Sequence, residues 1–142
     1  MSKHYANASW DGNLLKGSGK YTLKTSGYEG KTKFSSRFED DKSSSSPEEL
    51  IGAALASCYS MALAHALDQA GNTAERIETS AEVTLSKVTD GFGITEILLK
   101  TTGKVKGIDN KKFQEIAEKT KSGCPVSKAL TGTTIKHEAV LV

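Results

Sequence analysis

The chain has 142 residues, of which 37% are hydrophobic and 25% charged, a composition typical of one globular domain. Lysine and arginine number nineteen against seventeen acidic residues, for a net charge of +2. The lysines are spread along the chain, whereas nucleic-acid binders concentrate them on one face. We therefore expect a single domain, residues 1–142, without a nucleic-acid partner.

The N-terminal residues contain no basic segment followed by an apolar stretch, so we expect no secretory signal and a cytoplasmic protein. The reducing cytoplasm disfavours permanent disulfides. The two cysteines, Cys58 and Cys124, are therefore expected to be redox-active, metal-binding or simply buried.

Three segments that alternate polar and apolar residues, 5–10, 20–24 and 31–38, are separated by glycines and predict an antiparallel meander. The glycine-rich stretch K-G-S-G-K at 16–20 is interpreted as a hairpin turn. A phosphate-binding loop would need a Walker lysine–threonine pair and a helix start after it, and neither follows.

A long helix is predicted over residues 47–70. Ser46 fits the N-cap, Pro47 the first helical position and Glu49 the third position of a capping box, and Gly71 supplies the C-terminal cap. Its interior is apolar or small nearly all round, which indicates a helix covered on several sides. A membrane span would have a similar length, but its many alanines and serines and its internal His65 and Asp68 argue against one. Because one small domain has little material to cover such a helix, we expect a homodimer.

The second half predicts strands at 77–87 and 92–105 joined by a turn at 89–91. Asp109 then caps a helix that ends near 121–122 with Gly123 after it. Pro125 begins a short helix to about 130, and a final strand spans 133–142. Because strands and helices come in separate runs, we predict an α+β fold.

The cysteines are too far apart for a C-x-x-C motif, and the three histidines form no metal-binding pattern, so we expect no metal. Cys58 is either a small core residue or a reactive thiol. Cys124 directly precedes Pro125 at a predicted helix N-terminus, where a thiol pKa is lowered. His65 lies about 10 Å along the helix from Cys58, too far to activate it. From these residues alone, structural and redox roles for the two cysteines remain equally open.

Arg37 is predicted to lie in the third strand. It is either a solvated strand residue or a guanidinium that stabilises the Cys58 thiolate, oriented by a bidentate pair with Glu48. Glu48 and Cys58 are about 15 Å apart along one helix, so they cannot touch. The arginine would have to bridge that gap or meet residues of two subunits.

Several segments together resemble the osmotically inducible protein C (OsmC) family, which is related to the organic hydroperoxide resistance (Ohr) proteins. They are ASWDG at 8–12, SRFE at 36–39, SPEELIGAALASCYSMAL at 46–63, VTLSKVTDGFGIT at 83–95 and KSGCPVSKAL at 121–130. The resemblance covers nearly the whole chain. A serine, Ser45 or Ser46, stands where the family often has asparagine before the proline, and serine caps a helix about as well.

The resemblance implies an OsmC-like α+β fold, with antiparallel sheets around long central helices in an intertwined homodimer whose active sites lie at the subunit interface. It implies a peroxidase of oxidative or osmotic stress defence, free of haem, flavin and metal, that prefers organic hydroperoxides to hydrogen peroxide. Cys58 matches the attacking thiol, Cys124 the resolving thiol, and Arg37 and Glu48 the activating pair. An intrachain disulfide would be reduced by a dithiol, with lipoyl-type dithiols as one candidate.

The apolar residues around Cys58, including Leu55, Met61 and Ala62, would favour a greasy alkyl peroxide. One alternative is a non-catalytic protein on the same fold that binds apolar ligands or stress partners. Another is a thiol-disulfide oxidoreductase acting on proteins, although the chain lacks the C-x-x-C motif.

Overall fold

The computed structural model describes residues 1–142, which form an α+β fold with two three-stranded sheets. The chain divides into two compact units, residues 1–50 and 51–142. The elements in chain order are β1 (Ala6–Asp11), β2 (Ser18–Leu23), β3 (Tyr28–Thr32), α1 (Phe34–Phe38), α2 (Pro47–Gln69), β4 (Ala74–Val88), β5 (Gly91–Val105), α3 (Asn110–Gly123), α4 (Pro125–Ala129) and β6 (Thr134–Leu141).

In the first unit, β1, β2 and β3 form the predicted antiparallel meander. Residues 12–17 connect β1 to β2, so the hairpin interpretation of the glycine-rich stretch is confirmed. The β2–β3 turn places Gly27 at φ +74°, a conformation that costs a side-chain-bearing residue free energy, and its N–H donates to the Leu23 carbonyl at 2.8 Å.

The prediction that residues 31–38 form a strand is wrong beyond Thr32, because Phe34–Phe38 form the short helix α1 and Arg37 lies in its last turn. Phe34 and Phe38 are spaced for a strand face, but they are also four residues apart, which is the spacing of neighbours on a helix. Their rings pack with centroids 4.8 Å apart. The Ser36 hydroxyl fixes the turn by accepting from the Lys33 N–H and donating to the Ser45 carbonyl.

The long helix α2 begins and ends as predicted. The Glu49 N–H donates to the Ser46 hydroxyl at 3.1 Å, which confirms Ser46 as the N-cap. Gly71 has φ +80°, and the Asn72 N–H donates back to the Leu67 carbonyl at 2.9 Å, the hydrogen bond of a left-handed C-terminal cap.

The second unit contains a mixed sheet in the order β4-β5-β6. β4 and β5 are antiparallel strands joined by the predicted tight turn, whereas β6 runs parallel to β5. The expectation of antiparallel sheets is therefore wrong for this pair. Because α3 and α4 form a crossover between β5 and β6, the chain returns to the end from which β5 started and must continue in the same direction.

The core of the second unit lies between α2, α3 and the sheet. Its largest fully buried side chains are Leu55, Tyr59, Leu63, Leu67, Ile97, Leu99 and Phe113. The α2 members recur every fourth residue, so one stripe of the helix is covered within the chain. The other side is open, with Met61 74% exposed. By length and composition α2 could cross a membrane, but a core helix passes the same test and the buried stripe is the pattern of one.

Candidate redox site

Cys58 and Cys124, distant in sequence, meet in the second unit. Cys58 lies on α2, half-buried, and packs against the core. Cys124 follows α3 directly and is 0% exposed. Both are free thiols, and they lie close enough for each to shift the pKa of the other. The fold thus brings together the two residues that the sequence analysis singled out.

Cys124 is the N-cap residue of α4, and its sulfur takes the place of the usual capping oxygen. The Ser127 N–H donates to Sγ at 3.3 Å, and the Ser127 hydroxyl lies 3.1 Å from the same sulfur. Ser127 is itself buried, 7% exposed. The sequence analysis did not single out Ser127, although its position three residues after a capping residue is where a capping contact forms.

The two thiols ionise differently. Burial raises the pKa of Cys58, the interaction with Cys124 raises it further, and a backbone interaction with Val126 only partly offsets them. Burial also opposes ionisation of Cys124, but the Ser127 hydroxyl, the Ser127 N–H and the Cys58 thiol together lower the pKa of Cys124 below its ordinary value. Within one chain, the surroundings of the pair therefore favour ionisation at Cys124 and oppose it at Cys58.

A buried polar group of the core, Tyr59, directly follows Cys58 in the chain. Its hydroxyl donates to the Ala117 carbonyl at 3.2 Å, and burial raises the pKa of this phenol. The ring of His137, on β6, packs against the Tyr59 ring with centroids 4.8 Å apart. Nε2 of His137 is buried without a hydrogen-bond partner in the protein, and burial lowers the pKa of the imidazole. These contacts fix the core side of the helix segment that carries Cys58.

Arg37 and Glu48 form an ion pair inside the first unit. Nε and Nη2 of Arg37 lie 2.8 and 2.7 Å from the same oxygen, Oε1 of Glu48. The predicted pairing is present, but it is not the two-oxygen fork expected, because Oε2 is buried without a partner. The Glu48 side chain is 9% exposed and that of Arg37 40% exposed, so the carboxylate is the member that depends on its partner.

The three apolar residues expected to favour alkyl peroxides are placed differently. Leu55 is fully buried in the core and cannot contact a substrate. Met61 is exposed, and Ala62 lines an open groove of about 350 Å³ between α2 and α3, which also includes His65, Ile116 and Gly123. No group of three or more potential ligands suited to a metal ion occurs in the structure.

Known proteins resemble this chain in sequence and in fold. The family model of OsmC-like proteins matches residues 39–138. Peroxiredoxin OsmC of Escherichia coli is 45% identical over 124 residues, covering 87% of this chain and 86% of that protein. The chain belongs to the OsmC family. It is thereby a member of a family of cysteine-based peroxidases, as the recognised sequence segments had indicated.

Solved structures related to OsmC show the same fold. An organic hydroperoxide resistance protein from Elizabethkingia anophelis superposes with a TM-score of 0.80 at 20% identity, covering 99% of both chains. The organic hydroperoxide resistance protein OhrB of Bacillus subtilis superposes with a TM-score of 0.75 at 25% identity, covering 95% of this chain and 97% of that one. The α+β prediction is therefore confirmed.

Proposed function

We propose that this protein reduces organic hydroperoxides to alcohols, and hydrogen peroxide less well, through a sulfenic acid on Cys58 and a disulfide between Cys58 and Cys124. The observation that carries the proposal is the pairing of a half-buried thiol with a fully buried one that is already hydrogen-bonded through its sulfur. OsmC and Ohr relatives, named for peroxide chemistry, support it.

The difference in exposure supports the roles that we propose for the two cysteines. Cys124 ionises more readily, but peroxide cannot reach a sulfur that is 0% exposed, whereas Cys58 is partly accessible. The Cys58 thiolate attacks the outer peroxide oxygen, the O–O bond breaks, and the alkoxide leaves and takes up a proton. The Cys124 thiolate then attacks the sulfenic sulfur and expels hydroxide, which gives the disulfide.

Because burial raises the pKa of Cys58, its ionisation needs a cation. We assign that role to Arg37, which Glu48 orients. Arg37 acts either within one chain or across a homodimer. In each chain, we propose, the two units belong to one OsmC-like domain. The open side of α2, with its exposed Met61, supports a second copy of the chain as its cover. We place the enzyme in the cytoplasm, as part of oxidative or osmotic stress defence, with a dithiol, lipoyl-type or other, as reductant.

A thiol count tests the proposal. Reduced protein is treated with a slight excess of cumene hydroperoxide, and free thiols are counted before and after under denaturing conditions. Loss of two thiols per chain with stoichiometric cumyl alcohol is expected. Unchanged thiols would reject the proposal and favour the non-catalytic ligand-binding alternative, and reduction of a disulfide-containing protein with little peroxide turnover would favour a protein oxidoreductase.

A further inference from the structure

We propose that Ser127 is a catalytic residue of the regeneration step. Its hydroxyl and backbone N–H receive the Cys124 sulfur as a leaving thiolate, so that an external dithiol attacks the disulfide at Cys58. The inference rests on the proposed function, since it concerns the disulfide which that function forms. Beyond that function, it identifies Cys58 as the sulfur that the reductant attacks and Ser127 as the residue that directs the attack to Cys58.

The burial of the two cysteines determines which sulfur a reductant can reach. Thiol-disulfide exchange requires the attacking thiolate to approach one sulfur from the side opposite the leaving sulfur. Cys124 is the N-cap residue of α4 and is 0% exposed, so its sulfur cannot be approached from solvent. Cys58 is half-buried on α2 and offers the only accessible sulfur of the pair.

The hydrogen bonds at Cys124 favour the same direction of attack. A thiol with a lower pKa leaves a disulfide faster. The Ser127 N–H donates to the Cys124 sulfur at 3.3 Å, and the Ser127 hydroxyl lies 3.1 Å from the same sulfur. A disulfide sulfur or a leaving thiolate carries no proton, so in those states the hydroxyl can only donate. Ser127 is buried, so both groups are present before the bond breaks. Cys58 has no such pair of donors, and burial opposes its ionisation.

The regeneration is a balanced two-electron exchange. A thiolate of the dithiol bonds to Cys58 Sγ, the Cys58–Cys124 bond breaks, and Cys124 departs with the electron pair as a thiolate held by Ser127. The second thiol of the dithiol, once deprotonated, attacks the dithiol sulfur bonded to Cys58 and releases the Cys58 thiolate. The dithiol becomes a cyclic disulfide, and its two protons pass to the cysteines or to solvent.

The site of attack can be determined without peroxide. Wild-type protein is oxidised with diamide, exposed briefly to glutathione, quenched with acid and N-ethylmaleimide, and mapped by peptide mass spectrometry. Glutathione is expected on Cys58 and maleimide on Cys124. Glutathione on Cys124, or failure of diamide to join the two cysteines, would overturn the proposal. A protein that passes this test and fails the cumene hydroperoxide test would lose only the proposed function.

The role of Ser127 is tested by the rate at which dithiothreitol reduces the diamide-oxidised protein. Ser127→Ala removes one of the two donors, so we expect the pKa of Cys124, measured by thiolate absorbance in a Cys58→Ser background, to rise by about one unit. A thiol with a higher pKa leaves more slowly, and if the leaving thiol is as sensitive to pKa as an attacking thiol, about 0.5, reduction slows roughly threefold. Ser127→Thr keeps the hydroxyl and is expected to restore both values.

The matched control is Ser122→Ala, which removes an exposed hydroxyl that donates to the Lys119 carbonyl and does not contact Cys124. Its reduction rate and the pKa of Cys124 should equal those of the wild type. Thermal unfolding of each reduced variant shows whether the fold is kept. Equal rates for wild type and Ser127→Ala, or the same slowing with Ala and with Thr, would overturn the role of the hydroxyl.

Discussion

The two compact units each contain one pair of proposed site residues, and the pairs differ in how they hold charge. In the first unit the negative charge belongs to Glu48, buried and bound to Arg37 through a single oxygen. In the second unit the charge can reside on either of two sulfurs, with Cys124 favoured by Ser127. The Glu48 charge is fixed and buried, so the stability of the fold depends on its partner Arg37. The charge of the cysteine pair can move between two sulfurs, so the reactivity of the thiols depends on the groups around them. Substitutions in the first pair should therefore have a large effect on stability in addition to the activating role proposed for Arg37, whereas those in the second should affect mainly the chemistry.

The largest effect is expected from Cys58→Ser. Removal of the nucleophile should lower peroxide consumption by at least about 10³-fold, measured by loss of cumene hydroperoxide with dithiothreitol as reductant. Since no charge is left unpaired, the free energy of unfolding should change by less than about 1 kcal/mol. Cys124→Ser is the matched variant, and it should complete one turnover and leave a sulfenic acid that dimedone traps. The opposite pattern would exchange the roles of the two cysteines.

The next effect is on stability, from Arg37→Met. Because Glu48 is 9% exposed, loss of the guanidinium leaves a buried carboxylate without its cation, and we expect a loss of about 1–3 kcal/mol in urea unfolding. Arg76→Met is the control, since the side chains of the Arg76–Glu78 pair are 70% and 60% exposed, and water screens such a pair so that its loss should barely change the stability. Equal losses in the two variants would remove the contrast between the pairs.

Glu48→Gln separates charge from shape at the same position. The amide keeps an acceptor for Arg37 and no longer needs a counter-ion, so Arg37→Met should be less destabilising in the Glu48→Gln background than in the wild type.

If Arg37 also activates Cys58, Arg37→Met should raise the apparent pKa of peroxide reduction. An unchanged pH profile would remove Arg37 from the mechanism.

A smaller loss is expected from Tyr59→Phe, which tests the core beneath the cysteines. The variant removes the buried hydroxyl that donates to the Ala117 carbonyl and should cost about 1 kcal/mol in urea unfolding. Tyr28→Phe, at a 69% exposed position on β3, should have no measurable effect. Because Tyr59 acts through packing, the rate of peroxide reduction should remain within about twofold of wild type, and a larger fall would give its hydroxyl a part in the chemistry.

The sequence predicted the long helix and the hairpins well because their signals are local. Ser46 and Gly71 mark the ends of α2, and a two-residue turn joins β4 to β5. The helix at Phe34–Phe38 was missed because its residues fit the spacing of a strand and of a helix equally, and only the packing of the two rings decides between them. The direction of β6 depends on the crossover through α3 and α4, which no local pattern encodes.

The candidate site was less predictable than the fold. Resemblance to a family singled out Cys58, Cys124, Arg37 and Glu48, whereas spacing alone left the cysteines ambiguous. Ser127 contacts Cys124 through a helix cap, and Tyr59, which follows Cys58 in the chain, hydrogen-bonds to Ala117 through tertiary structure. Each of these residues has an ordinary structural interpretation in the sequence. His137 illustrates the same limit, since alternation along β6 places it inward but does not show that Nε2 lacks a partner.

The smallest effect should be a pH dependence of stability from His137, because burial favours the neutral form of its imidazole. Burial lowers the pKa of His137 below its ordinary 6.5, so the folded protein binds this proton less tightly than the unfolded chain. The contribution of His137 to the free energy of unfolding is therefore complete above pH 6.5, and it declines as the pH falls through the lower pKa of the folded state. Thermal unfolding from about pH 8 to about pH 5 should show this decline, and His137→Gln should flatten it. His4→Gln, at an exposed position near the N-terminus, should keep the wild-type slope, and a slope that survives His137→Gln would assign it to other groups.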